Sequence, residues 1–203
     1  MLDSLVRPLI DPPLNAAGAV LARLGLGADA VTLAGFALGA GACAAIAAGQ
    51  FGAALALIAG NRVLDGLDGA VARHTAPTDL GGYLDIVCDM VFYSGVPFAF
   101  LLRDPADAVA AAFLMLSFMG TGASFLAYAA IAAKRGESTR ARGVKSMYHS
   151  FGLMEGTETI AFFVAFCLWP HLFGTLAVVF GALCWLTVAG RVALAWNQFG
   201  GGK

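Results

Sequence analysis

The sequence predicts an all-α membrane protein: six transmembrane helices preceded by an amphipathic helix at the membrane interface. Three observations predict it. The 203 residues are 60% hydrophobic and only 12% charged, with a mean hydropathy of +0.81, whereas soluble domains average about 45–50% apolar and about 25% charged residues. Six apolar segments, near 30–49, 51–74, 80–102, 106–133, 150–169 and 172–196, each approach or exceed the roughly 20 residues that a spanning helix needs. The cations also collect on alternate connections between those segments, as they do in polytopic membrane proteins.

Residues 1–28 form a mixed juxtamembrane segment, and residues 29–203 form the six-helix domain. Pro13 suits the first turn of a short helix. Beyond it Leu14, Ala17, Leu21 and Leu24 share one face, with Asn15 and Arg23 opposite, the pattern of a helix lying on a membrane surface. Asp29-Ala30-Val31-Thr32 gives the first span a polar, capping start. Within it Gly35-x-x-x-Gly39 permits close approach of a neighbouring helix. Gly49-Gln50-Phe51-Gly52 and Trp169-Pro170-His171 read as tight turns. The link His74–Leu80, with Pro77, is short enough to make the second and third spans antiparallel neighbours.

Other classes are excluded. Cys43, Cys88, Cys167 and Cys184 lie in apolar runs without a CxxC pair, so they read as small core residues rather than a disulfide framework or zinc site. Asp3 precedes the first apolar stretch and Pro12-Pro13 interrupts it, unlike a signal peptide. No internal repeat of the transporter kind is present, and no nucleic-acid partner is expected.

With the N-terminus inside, nine cations fall on the cytosolic side: Arg7, Arg23, Arg73, Lys134, Arg135, Arg140, Arg142, Lys145 and Lys203. Arg191 lies near the inner end of the last span. Only Arg103 falls on the opposite side, and Arg62 is the one cation left well inside a span. The bias sets the orientation and places residues 65–89 at the cytosolic ends of the second and third spans.

Asp65, Asp68, Asp85 and Asp89 stand in this otherwise apolar region. A carboxylate in hydrocarbon costs about 2.5–3.5 kcal/mol, and four cost roughly 10 kcal/mol unless something neutralises them. Asp65, Asp68, Gly69 and Ala72 fall at helical offsets 0, 3, 4 and 7, and Gly81, Asp85 and Asp89 at 0, 4 and 8, so each set forms one stripe. Antiparallel packing then turns two carboxylates from each helix toward a gap that Gly69, Ala72 and Gly81 leave open, with Arg73 at its mouth. Hard divalent cations take oxygen ligands, and such a gap suits metal ions bridged to phosphate oxygens. Ion pairing alone, with Arg62 and Arg73, leaves four anions facing two cations.

The full spacing, D-x2-D-G-x2-A-R-x7-G-x3-D-x3-D over residues 65–89, resembles the signature of the CDP-alcohol phosphotransferases, class I. The six-span layout and the N-terminal helix extend the resemblance over nearly the whole chain. It implies transfer of a phosphatidyl or similar phospho group from a CDP-linked lipid, such as CDP-diacylglycerol, to a small alcohol, with release of CMP, in phospholipid synthesis. It implies that Asp65, Asp68 and Asp85 bind two divalent ions, Mg²⁺ or Mn²⁺, with Asp89 nearby as the general base. Asp68, Gly69, Ala72, Arg73 and Gly81 correspond to positions that accommodate the cytidine diphosphate. The family is typically homodimeric, and a multi-pass protein of the cell (inner) membrane, with its active site facing the cytosol, is expected.

The acceptor side is less specific. Arg140, Arg142 and Lys145, with Lys134 and Arg135, could bind a phosphorylated acceptor or could serve as topological determinants. Glu155 and Glu158 are i, i+3 neighbours at the start of the fifth span, where acids are functional suspects; they could hold an acceptor ammonium, pair with Arg62 or Arg142, or support the metal shell. The proline and lysine of the D-P-x-A-D-K form found in phosphatidylglycerophosphate and cardiolipin synthases are absent from Asp85-Ile86-Val87-Cys88-Asp89-Met90. Ile86 replaces the histidine favoured by choline and ethanolamine transferases, and Met90 the arginine frequent in inositol-phosphate enzymes. Phe92-Tyr93-Ser94-Gly95-Val96-Pro97 resembles the S-F-G-V-A-P of the serine-type branch. Glycerol 3-phosphate and inositol phosphate remain alternative acceptors. A cation transporter using the same acids is the other class, although the acids cluster at one face and trace no path across.

Overall fold

A computed structural model of the chain describes residues 3–136 and 156–200. Its helices are α1 (Asp3–Arg23), α2 (Ala28–Ala47), α3 (Phe51–Thr75), α4 (Asp79–Arg103), α5 (Ala108–Lys134), α6 (Gly156–Leu168) and α7 (Phe173–Phe199). Short 3₁₀ turns, Pro105–Asp107 and Pro170–Leu172, lead into α5 and α7. Apart from the start of α6, where the described residues resume, every end of α2–α7 falls within three residues of the apolar segment expected there. Among the described residues four helical segments are long and apolar enough to cross a membrane: Ala28–Ala47, Asp79–Arg103, Pro105–Lys134 and Pro170–Phe199. α3 is also 25 residues long but carries Arg62, Asp65, Asp68 and Arg73. α6 is 13 residues long, and the earlier part of the fifth apolar segment lies outside the described residues.

α1 begins ten residues before the expected start, with Pro8, Pro12 and Pro13 inside it. Proline's fixed φ fits a helix; its cost is a missing N–H and crowding of the preceding turn. These three prolines are exposed, where water can take the carbonyls they leave without a donor. The face of α1 also differs from the expected one. Leu14, Asn15 and Gly18 turn toward α3, whereas Ala17 and Leu24 are exposed. Contact at backbone range decides this. A Cβ on Gly18 would lie 2.7 Å from Ala70 Cβ and 2.8 Å from the Ala70 carbonyl carbon, and one on Gly66 would lie 2.7 Å from Leu14 Cδ1.

α2 is the wedge of the fold, packing against both α3 and α4, whose own backbones do not pack closely on each other. Gly35 meets α3 at Leu64, and Gly39 meets Asn61 of α3 and the Phe92 ring of α4. The Gly35-x-x-x-Gly39 pair thus lets α2 enter between two helices, as small residues do in membrane bundles. α2 ends in a Schellman turn: Gly49 has φ +73°, Gln50 N–H donates to Ala45 O and Gly49 N–H to Ile46 O, both at 2.8 Å. Thr78 caps α4, its hydroxyl accepting from Gly81 N–H at 2.9 Å, just after Pro77.

α5 and α7 pack together on the far side of α4. The core between the halves is aromatic. Phe100 stacks on Phe173 with centroids 4.2 Å apart, Phe162 on Phe180 at 4.3 Å, and Phe163 meets Phe92 edge-on at 5.7 Å. Phe92, Phe100, Phe163, Phe166, Phe173 and Phe180 are essentially buried. This slab fixes α4 and thereby the base of the aspartate cluster.

Gly18→Ala forces α1 away from the α3 backbone and lowers stability by about 1–3 kcal/mol, the usual cost of overpacking. Gly52→Ala, in α3 with nothing within 4 Å of the added methyl, is neutral or stabilising by up to about 1 kcal/mol. Thermal unfolding of the two detergent-purified variants checks the contrast.

Candidate active site

The four aspartates come together at one end of the bundle, where the C-terminal half of α3 and the N-terminal half of α4 flank the start of α2. Carboxylate oxygens of Asp65, Asp85 and Asp89 all lie within 4.8 Å of one another. Asp68 lines the same cleft, with Thr32 and Gly35 of α2. Hard oxygen donors from two helices within this span match what a divalent ion requires, so the residues present fit such an ion.

Each carboxylate has a different environment. Asp68 is 7% exposed; Thr32 Oγ1 donates to its Oδ2 at 2.7 Å, and the Gly69 N–H donates to its Oδ1. Asp65 Oδ2 and Asp89 Oδ1 share Arg62, at 3.3 Å from NH1 and 2.9 Å from NH2. The Tyr93 hydroxyl donates to the second Asp89 oxygen at 3.2 Å. Asp85 is exposed, and among the described residues it makes no hydrogen bond or ion pair.

Arg62 is itself held. Its Nε donates to Asn61 Oδ1 at 2.8 Å, Asn61 Nδ2 donates to Gly35 O at 2.8 Å, and its guanidinium lies 5.3 Å from the Phe92 ring centre and 5.6 Å from that of Tyr93. Asn61 is 4% exposed.

The remaining expected positions divide. Gly69 faces open space apart from Arg73 NH1 at 3.6 Å. Gly81 serves packing instead: a Cβ there would meet Asp29 Oδ1 at 2.8 Å and Thr78 Oγ1 at 3.0 Å. Arg73 turns away from the aspartates, its Nε and NH2 both donating to Asn15 Oδ1 of α1, at 3.0 and 2.7 Å. Of the two arginines considered as counter-ions, only Arg62 acts as one. Glu158 lies in the first turn of α6, outside the aspartate group. Arg140, Arg142, Lys145 and Glu155 lie outside the described residues.

The sequence reading assigned no site role to Thr32, Asn61 or Tyr93. Thr32 enters the sequence pattern only as the end of the capping start Asp29-Ala30-Val31-Thr32, whereas the N-cap of α2 is Gly27, without a side-chain bond. Helical spacing carried a signal for the others: Asn61 precedes Asp65 by four residues, Arg62 precedes it by three, and Tyr93 follows Asp89 by four, extending each aspartate stripe by one turn.

The family model described as CDP-alcohol phosphatidyltransferase matches residues 26–193. The chain belongs to this family. It is therefore a membrane protein and a transferase of phospholipid synthesis. It is 49% identical to the inner membrane protein YnjF of Escherichia coli K12 over 200 residues, covering 98% of this chain and 96% of that one. It is 40% identical to the archaetidylinositol phosphate synthase of Methanothermobacter thermautotrophicus over 86 residues, 42% of this chain and 40% of the relative. The Mycobacterium tuberculosis phosphatidylinositol phosphate synthase PgsA1, solved with CDP-DAG bound, shares the fold, with a TM-score of 0.69 and 20% identity over 90% of this chain and 93% of that chain.

Thr32→Val keeps side-chain volume but removes the donor to Asp68. The loss of a buried hydrogen bond to a charged group costs about 1.5–3 kcal/mol, whereas Thr32→Ser stays near wild type. Thermal unfolding of the two variants checks the difference.

Proposed function

We propose that this phosphatidyltransferase moves a phosphatidyl group from a CDP-linked lipid such as CDP-diacylglycerol to a small alcohol and releases CMP, in a reaction dependent on Mg²⁺ or Mn²⁺. The convergence of Asp65, Asp85 and Asp89 within 4.8 Å, beside the anchored Asp68, carries the reading. Asp65, Asp68 and Asp85 hold the ions, two by resemblance, with Asp89 close enough to contribute. When bound, the ions supply polarisation of the phosphoryl oxygens and compensation of the charge left on CMP. Asp68, Gly69 and Ala72 accommodate the cytidine diphosphate, with the bare Gly69 letting the ligand approach the α3 backbone, and Arg73 joins them by exchanging Asn15 for a phosphate oxygen. Asp89 takes the proton of the acceptor hydroxyl; the alcohol oxygen forms the new bond to the lipid-bearing phosphorus as the bond to CMP breaks.

α3 and α6 complete six spans with α2, α4, α5 and α7, residues 1–28 lie at the membrane surface, and residues 29–203 are the catalytic unit. The distribution of Lys and Arg puts the N-terminus and the aspartates on the cytosolic side of the inner membrane. The working form is a homodimer. For the acceptor, the segment around Ser94 favours serine or another small amino alcohol. The similarity to an archaetidylinositol phosphate synthase favours a phosphorylated inositol, which Arg140, Arg142 and Lys145 would bind by its phosphate, with Glu155 and Glu158 on acceptor hydroxyls.

CMP release by purified protein with CDP-diacylglycerol and Mn²⁺ or Mg²⁺ tests the reading across serine, glycerol 3-phosphate, inositol phosphate, inositol, phosphatidylglycerol, choline and ethanolamine. One acceptor supports release, and EDTA abolishes it. Absence of both release and CDP-lipid binding would refute the reading.

Asp89→Asn lowers turnover about 10²–10⁴-fold, the usual contribution of a positioned base, with CDP-lipid binding retained. Turnover near the wild-type rate would show that Asp89 is not the base.

A further inference from the structure

Among the described residues one cation stands among the four carboxylates, and its environment is built rather than incidental. Arg62 spends NH2 on Asp89 of α4, NH1 on Asp65 of α3 and on the Tyr93 hydroxyl at 3.3 Å, and Nε on Asn61. Asn61 in turn is fixed to the Gly35 carbonyl of α2. The guanidinium lies over two aromatic rings, which attract a cation through their quadrupoles. Its side chain is 18% exposed. Only a planar fork with several donors can serve both carboxylates, the hydroxyl and the amide at once.

Two consequences follow for the reaction. Asp89 has both oxygens engaged, one by Arg62 and one by Tyr93, so its carboxylate cannot rotate freely toward Asp65 or Asp85. Arg62 also opposes a divalent ion in the same cleft, because its charge repels the ion and its NH1 competes for Asp65 Oδ2.

We propose that Arg62 is a positioning residue that orients Asp89 for proton removal and, as the resident cation, weakens divalent-ion binding to the aspartate cluster. The proposal rests on the transferase reading above and adds to it a residue outside the signature. A purely structural Arg62 predicts the opposite sign for metal affinity, since a collapsed site binds metal less well.

The test titrates Mn²⁺ alone into the purified full-length protein at pH 8, reading the free-ion signal by electron paramagnetic resonance, and measures metal-saturated CMP release separately. Arg62→Gln binds Mn²⁺ about tenfold more tightly, the scale of one unit charge acting on a divalent ion a few ångströms away even in a water-like dielectric. Its kcat falls at least about tenfold, as expected for a displaced base, while KM for the CDP-lipid changes less than about threefold. Arg62→Lys, which keeps the charge and loses the fork, retains wild-type Mn²⁺ affinity and still loses kcat. Should Arg62→Gln not fold, the Lys variant and Tyr93→Phe decide the matter: Tyr93→Phe lowers kcat several-fold without changing KM or Mn²⁺ affinity. Weaker Mn²⁺ binding in Arg62→Gln, no Mn²⁺ binding by the wild type, or unchanged kcat in the Arg62→Lys and Tyr93→Phe variants would overturn the proposal. A wild type that binds Mn²⁺ but releases no CMP with any acceptor counts against the transferase reading alone, and the Mn²⁺ comparison still decides the charge role of Arg62.

Discussion

The guanidinium of Arg62 is the tie on which the site depends, because among the described residues it alone joins carboxylates from two helices whose backbones do not pack together. α3 and α4 meet instead through side chains: Arg62 with Asp89 at 2.9 Å, Arg62 with the Tyr93 hydroxyl at 3.3 Å and, at the opposite end, Phe51 stacked on Phe100 at 5.9 Å. In a medium of low dielectric, carboxylates brought this close repel strongly unless a cation intervenes. Arg62 supplies it while the rings of Phe92 and Tyr93 lie against its guanidinium, so the charged centre borders the Phe92–Phe163 core.

The separation of α3 and α4 is created by α2. A helix with a large residue in place of Gly35 or Gly39 could not approach Leu64, Asn61 and Phe92 as α2 does. Because α2 lies deep between its neighbours, its own polar groups reach the cleft: the Gly35 carbonyl receives Asn61, and Thr32 holds Asp68. The small residues therefore do more than allow packing, since they bring hydrogen-bonding groups of a third helix to the carboxylates of the other two.

Much of this was legible in the sequence. The helix boundaries followed from apolar run length and turn residues, and the aspartate cluster followed from helical offsets within a fixed pattern. What escaped has a common physical origin. Asn15 was assigned to the solvent face of α1 because periodicity ranks residues by hydropathy, whereas the face was decided by the backbone contact of Gly18 with Ala70 and by the bond from Arg73. Gly81 was read as open space, yet it accommodates Asp29 and Thr78. Thr32 and Asn61 look like a cap and an isolated amide until the depth of α2 is known. Each case concerns a distance between helices, which no single-helix pattern contains.

The four carboxylates also differ in how far the protein has fixed them, and the order has a chemical logic. Asp68 is buried and bonded at both oxygens, Asp89 is bonded at both by Arg62 and Tyr93, and Asp65 has one partner. Asp85, at the exposed edge on α4, is the least constrained. For the ion-holding role proposed for these carboxylates, fixing a group in advance removes the entropy that ordering it would otherwise cost at binding, but a fully closed ring would admit nothing. Three carboxylates held by hydrogen bonds and one without a bond among the described residues give a cleft that is shaped on its inner side and open on its outer side. Asp85 stands four residues from Asp89 on the same helix, so its adjustment needs only side-chain rotation and leaves the Arg62 tie intact.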